Sequence, residues 1–197
     1  MKLTLATRNP KKIEEIQSIL GHQFEVTGMD AISASADLEL IEDCQTFAGN
    51  AILKAASVAK ATQQLALADD SGLVVDALDG APGVHSARYA GENATDEVRN
   101  QKLLHALKDI PYSQRTARFQ CAIAIADQEG KVEVVEGVCE GEIAHQPKGD
   151  QGFGYDPVFV PDGYQQTFAQ LGATVKNRIS HRRRALALAA KVVQNWL

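Results

Sequence analysis

No stretch of this chain stays apolar for anything near the ~20 residues that a membrane-spanning helix needs, so a bilayer-embedded protein is not expected. Cysteine is scarce. Cys44, Cys121 and Cys139 form an odd set with no CxxC pair, which points to neither a disulfide framework nor a thiolate zinc site. Positive charge is not in excess: the formal net charge is −5, whereas a general nucleic-acid binder carries a basic footprint. Walker A and dinucleotide fingerprints are both missing. His22, His85, His105 and His145 show no metal-ligand spacing. The opening segment MKLTLATRNP has too short an apolar run for a signal-peptide core, so a reduced, cytoplasmic setting is the expectation.

What is present fits an ordinary globular domain. With 197 residues, 45% hydrophobic and 23% charged, the chain can bury a sizeable core without staples. We expect a single domain over residues 1–197, possibly two-lobed, with no repeats or linker.

Periodicity supplies the elements. Lys2 to Ala6 reads as a strand; Asn9 and Pro10 then offer an N-cap and a first-turn proline to a helix with Ile13, Ile16 and Leu20 on one face. Gly21 ends it. Phe24 to Val26 reads as a strand and residues 28–45 as a polar loop. Thr46 to Thr62 reads as a helix with Phe47, Ala51, Ala55 and Val58 inward. Leu65 to Ala68 reads as a strand end before Asp69-Asp70-Ser71-Gly72 and the apolar run Leu73 to Val75; Gly80 to Gly91 is turn-rich, and Thr95 to Leu107 is helical. Arg118 to Ala126 and Val132 to Ile143, joined at Asp127 to Gly130, predict a long hairpin. A Gly-rich stretch at 147–156 precedes a short strand, Val158 to Val160, and Ser180 to Trp196 closes the chain as a helix. Strands alternating with helices, plus one hairpin, predict an α/β fold with a mixed sheet.

Four features carry chemistry. Two helices begin with cations: Lys11 and Lys12 in one, and Arg182, Arg183 and Arg184 after Ser180 and His181 in the other. A helix N-terminus bears about half a positive charge, so each cation costs about 0.3–1 kcal/mol there unless an anion is held at the same end; the plain alternative is solvated side chains. Asp69-Asp70-Ser71-Gly72 offers hard oxygen ligands of the kind Mg²⁺ takes, with Glu42 as a second source, or else a simple Asp/Gly turn. Asn50 and Lys54 share a helix flank, either facing a cleft or snorkelling. Phe153, between Gly152 and Gly154, suits stacking on a base.

Together these segments resemble the inosine/xanthosine triphosphate pyrophosphatase family along almost the whole chain. The resemblance rests on Thr7 to Lys12 (TRNPKK), FAGNAILKA from Phe47, ADDSGLVVD from Ala68, GAPGVHSARYAG from Gly80, GFGYDPVF from Gly152, and Ser180-His181-Arg182. It implies an elongated mixed sheet with flanking helices, two lobes around a central cleft, Mg²⁺ dependence, a homodimer, and hydrolysis of ITP, dITP or XTP to the monophosphate and pyrophosphate. It further implies that Thr7, Asn9 and Lys12 bind phosphate and that Glu42 and Asp70 hold the metal. Asp70 would also accept a proton, with Lys54 and Ser71 beside the phosphates. Phe153 would stack on the base, lined by Gly154, Tyr155 and Asp156, while Lys176, His181 and Arg182 would meet the nucleotide. Arg182, having only donors, is the expected reader of a 6-oxo group. The chain departs from the family pattern at Arg8 and Lys11 (often Gly), Gly49 (usually Glu) and His85 (often Tyr). The alternatives are a non-catalytic nucleotide-binding module and a pyrophosphatase for other nucleotides.

Overall fold

A computed structural model describes residues 2–35 and 38–196. Positions 36 and 37, which the sequence places in the polar loop, lie outside the described residues. Six strands form one sheet in the order β2-β1-β3-β4-β5-β6, namely β1 (Lys2–Leu5), β2 (Glu25–Gly28), β3 (Ala66–Val75), β4 (Thr116–Ala126), β5 (Val132–Ile143) and β6 (Phe159–Pro161). β1 runs parallel to β2 and β3, and β5 antiparallel to β6, so the sheet is mixed as the pattern predicts. The helices are α1 (Pro10–Leu20), α2 (Phe47–Thr62), α3 (Asp96–Ala106), α4 (Phe168–Ile179) and α5 (His181–Asn195). Among the described residues no helix is long and apolar enough to cross a membrane.

The chain divides into two compact units, with the boundaries falling inside β3, β4 and β5. One comprises residues 1–70, 121–137 and 181–197; the other comprises residues 71–120 and 138–180. In the first unit, Leu3, Leu5, Ile16, Leu67, Ile123 and Leu186 form the buried core, with Trp196 packed at its edge. In the second, Leu73, Leu103, Leu107, Val158, Phe159 and Phe168 do so. Each such side chain stabilises the fold by about 1.5–3 kcal/mol relative to exposure. α5 approaches β5 so closely that a Cβ on Gly137 would lie 2.2 Å from the His181 carbonyl oxygen and 2.5 Å from the Ala185 nitrogen. Only a residue without a side chain fits there.

The caps behave as their chemistry predicts. Asn9 Oδ1 accepts from the Lys11 and Lys12 amides at 3.0 and 3.4 Å, Thr46 Oγ1 from Gly49, and Thr95 Oγ1 from Val98. Two features differ from the expected pattern. Asp69-Asp70-Ser71-Gly72 is no turn: it lies in the middle of the ten-residue strand β3. Local preferences for Asp and Gly are overridden because Asp69 and Asp70 have charged partners and the flanking residues are core. α4 has no counterpart in the predicted elements. Its signal is the reciprocal capping box of Thr167 and Gln170, but Gly172, at φ 74°, breaks the helical period.

Candidate active site

Successive strand side chains point to opposite faces, so β3 presents Asp69 and Asp70 in different directions. Asp69 is almost wholly buried. Its Oδ1 pairs with Lys12 Nζ of α1 at 2.6 Å, and its Oδ2 with Arg182 Nε of α5 at 2.9 Å. Arg182 Nη2 completes a fork on Asp69 Oδ1 at 3.2 Å, Nη1 reaches Glu15 Oε2 at 2.9 Å, and the Cys121 thiol lies 3.0 Å from Asp69 Oδ2. Asp70 Oδ1 meets Lys54 Nζ of α2 at 2.7 Å, and the same ammonium holds Glu42 Oε1 at 2.8 Å. Lys54 and Lys12 also donate to the Asp69 carbonyl, at 3.2 and 3.4 Å. Lys12, Lys54 and Arg182 thus converge on two consecutive carboxylates.

Burial and charge compete over each group. Burial would raise the Asp69 carboxyl, but Arg182 and Lys12 hold it well below the ordinary aspartate range. Asp70 goes the other way: burial pushes its carboxyl up, Lys54 pulls it down, and Glu42 pushes it up again, leaving it above its usual value. Burial would lower the Lys54 ammonium, yet Asp70 and Glu42 hold it above its usual value. Two adjacent carboxylates with opposed shifts are a mark of a chemical site. Lys54 is not snorkelling. Its side chain is 4% exposed and its charge is held inside.

Asn50, also buried, ties this set to the loop carrying Glu42. Its Oδ1 accepts from the Cys44 amide at 2.9 Å, and its Nδ2 donates to Asp70 Oδ2 at 3.2 Å. The departure at Gly49 has a steric counterpart. A Cβ there would lie 2.8 Å from Cys44 Cβ, so Cys44 fills the space of a side chain at 49. Arg8, another departure, braces the loop through Asp30 at 2.8 Å and the Leu38 carbonyl at 2.9 Å.

The second unit holds the other predicted group. Asp156 Oδ2 accepts from Lys176 Nζ at 2.6 Å and from the Phe153 amide at 3.0 Å, and Lys176 Nζ lies 4.4 Å from the centre of the Phe153 ring. Tyr155 Oη donates to the Ser86 carbonyl at 2.9 Å; burial raises its phenol. Gly152 is obligatory, since a Cβ would stand 2.1 Å from Asp156 Oδ2. Gly154 connects to α3.

Of the remaining predicted residues, Thr7 Oγ1 accepts from the Asn9 amide at 3.2 Å. Ser71 follows Asp70 in β3, and His181 is buried at the start of α5. The anions that the cation-rich helix starts demand are supplied from within: Asp69 answers Lys12, and Asp69 with Glu15 answers Arg182. Glu15 and Cys121 are not among the predicted site residues, and the sequence singles out Asp69 and Asn50 by position without giving either a role. Glu15 carries a weak signal, three residues after Lys12 on α1; Cys121 carries none, because only the sheet brings β4 beside β3.

Comparison with known proteins gives the chain's relatives. The Ham1 family model matches residues 3–192. The dITP/XTP pyrophosphatase of Desulforamulus reducens is 50% identical over 194 residues, covering 98% of this chain and 96% of the relative, and that of Bacillus subtilis is 44% identical over 191 residues, covering 96% of each. Among solved structures, a HAM1 protein from Coxiella burnetii superposes with a TM-score of 0.88 at 42% identity, covering 99% of each chain. The Staphylococcus aureus Ham1 protein gives 0.88 at 38%, covering all of both. With a near-full-length family match and relatives at this level of identity, the chain belongs to the Ham1 family.

Proposed function

We infer that this chain hydrolyses non-standard purine nucleoside triphosphates (ITP, dITP and XTP) to the monophosphate and pyrophosphate, cleansing the nucleotide pool. The observation that carries the reading is the convergence of Lys12, Lys54 and Arg182 on Asp69 and Asp70. The names of the relatives give the same activity. Buried cations beside a carboxylate with a raised pKa can neutralise phosphate charge and accept a proton at one place.

The donor set fits Mg²⁺. Among the described residues no group of three or more His, Cys, Asp and Glu side chains is poised to hold a metal on protein ligands alone. Glu42 and Asp70, however, both reach one ammonium, and Mg²⁺ characteristically takes one or two carboxylates together with waters and substrate phosphates. Glu42 and Asp70 would hold the ion, which when bound supplies charge neutralisation to the phosphates.

The chain's own groups do the rest. Lys12 and Lys54 bind the triphosphate tail, with Thr7, Asn9 and Ser71 beside it. Asp70 orients a water toward the α-phosphorus and takes its proton as the α–β anhydride breaks, and pyrophosphate departs against the lysines. Phe153 stacks on the base, with Gly154, Tyr155, Asp156, Lys176 and His181 around the nucleotide. Arg182 is committed to Asp69 and Glu15, so reading a 6-oxo group would require one of those pairs to open. The single catalytic domain, the homodimer and the cytoplasmic setting belong to the same proposal. Three free cysteines suit a reduced compartment.

A panel of triphosphates tests it. With Mg²⁺ present, ITP, dITP and XTP should release pyrophosphate with kcat/KM at least about a hundredfold above ATP, whose 6-amino group mismatches donors that fit a 6-oxo group, and should also exceed GTP, CTP and UTP. Binding of ITP without hydrolysis would instead favour a non-catalytic module. A preference for pyrimidines would point to a different pyrophosphatase.

A further inference from the structure

Gly154 is held on both of its backbone polar groups by one helix. Its amide donates to Asp96 Oδ2 at 2.8 Å, and its carbonyl accepts from Asn100 Nδ2 at 2.9 Å. Asp96 and Asn100 are four residues apart and so share a flank of α3. Asn100 is 3% exposed. Its amide has one workable orientation, because turning it over would set Oδ1 against the Gly154 carbonyl. Asp96 is itself anchored by an ion pair to Arg99, whose Nη1 donates to the Ala87 and Ala94 carbonyls at 2.6 and 2.8 Å.

This grip answers a specific need. Gly154 has φ 64° and Gly152 φ 80°, conformations that glycine reaches easily and also leaves easily. Phe153 lies between them. Toward Gly152, the loop is fixed by Asp156, which accepts from the Phe153 amide and pairs with Lys176. On the other side, the bonds from Asp96 and Asn100 fix it.

We propose that Asp96 and Asn100 are positioning residues for purine recognition. By immobilising Gly154 they set where the Phe153 ring lies, and so govern the KM for oxopurine triphosphates without touching the substrate. The inference rests on Phe153 being the stacking ring. Lys12 and Lys54 are held by Asp69, Asp70 and Glu42, so turnover of bound substrate should not depend on α3.

A double-mutant cycle with a phosphate-only probe tests this. Asn100→Leu, which keeps the volume and removes the donor, should raise the KM for ITP about tenfold, the scale of one base–aromatic stack. Its kcat should stay within about twofold, and the inhibition constant of inorganic tripolyphosphate should not move. Asp96→Ala should repeat that pattern from the other end, and Asp96→Asn, whose Oδ1 still accepts from Gly154, should restore most of it. In a Phe153→Ala background, Asn100→Leu should add nothing. An unchanged KM in both Asn100→Leu and Asp96→Ala would overturn the proposal. So would an equal rise in the Phe153→Ala background, or a matching loss of tripolyphosphate binding. If Phe153→Ala alone leaves the KM for ITP unchanged, the stacking reading itself fails, and that result is visible separately.

Discussion

Asp70→Asn is expected to lower the turnover of ITP by at least about a hundredfold, the usual contribution of a positioned general base. The substitution keeps the shape of the side chain and an oxygen for Lys54 while removing the charge and the proton acceptor. Folding should survive it, since Asp70 is held above its ordinary pKa by burial and Glu42, and ionising it there is not favoured as it is at Asp69. The shift has its own consequence. A carboxyl raised by burial is ionised only as pH climbs through that raised value. In metal-free protein, the Asp70 carboxyl carbon should therefore titrate above the ordinary midpoint of about 3.9. Adding Mg²⁺ should move the midpoint down, because a cation at the oxygens favours the charged form. Near-normal hydrolysis by Asp70→Asn would remove Asp70 from the chemistry; a midpoint indifferent to Mg²⁺ would remove it from the metal site.

Arg182→Met is expected to have the largest effect on stability, a loss of about 3–5 kcal/mol in urea unfolding at neutral pH. The guanidinium is 2% exposed and lies against Asp69 and Glu15, so its removal leaves two buried carboxylates, one still paired to Lys12. Adding Asp69→Asn and Glu15→Gln to the same chain should return much of the loss, because the uncompensated charges go with them. The pH dependence follows from Asp69, whose carboxyl is held well below the ordinary range. The stability it contributes is present above about pH 4 and fades as pH falls through the depressed value, so the difference from the parent should shrink on acidification. A variant within about 1 kcal/mol of the parent, with a collapsed preference for ITP over ATP, would make Arg182 a base reader and not an internal counter-ion.

Much of this was legible in the residues. The mixed sheet followed from the Arg118 to Ile143 hairpin beside alternating strands and helices, and the cap at Asn9 from a side chain that satisfies free amides. Lys12, Lys54 and Asp70 were identifiable as charged groups at a helix start, on a helix flank and between apolar runs. The continuous β3 was not legible, because Asp-Asp-Ser-Gly is locally turn-like and only buried partners from α1, α2 and α5 make it a strand. α4 was hidden by Gly172, whose positive φ interrupts the period. The partners of Asp69 were hidden because they come from residues 12, 121 and 182, and no local pattern encodes such an encounter. The grip of α3 on Gly154 belongs to the same class.

Attack of water at the α-phosphorus is the step on which the proposed hydrolysis turns. Hydrolysis of ITP in ¹⁸O-enriched water, followed by mass spectrometry of both products, tests it most directly. One labelled oxygen is expected in the inosine monophosphate and none in the pyrophosphate. Label in the pyrophosphate, or release of inorganic phosphate in its place, would contradict it.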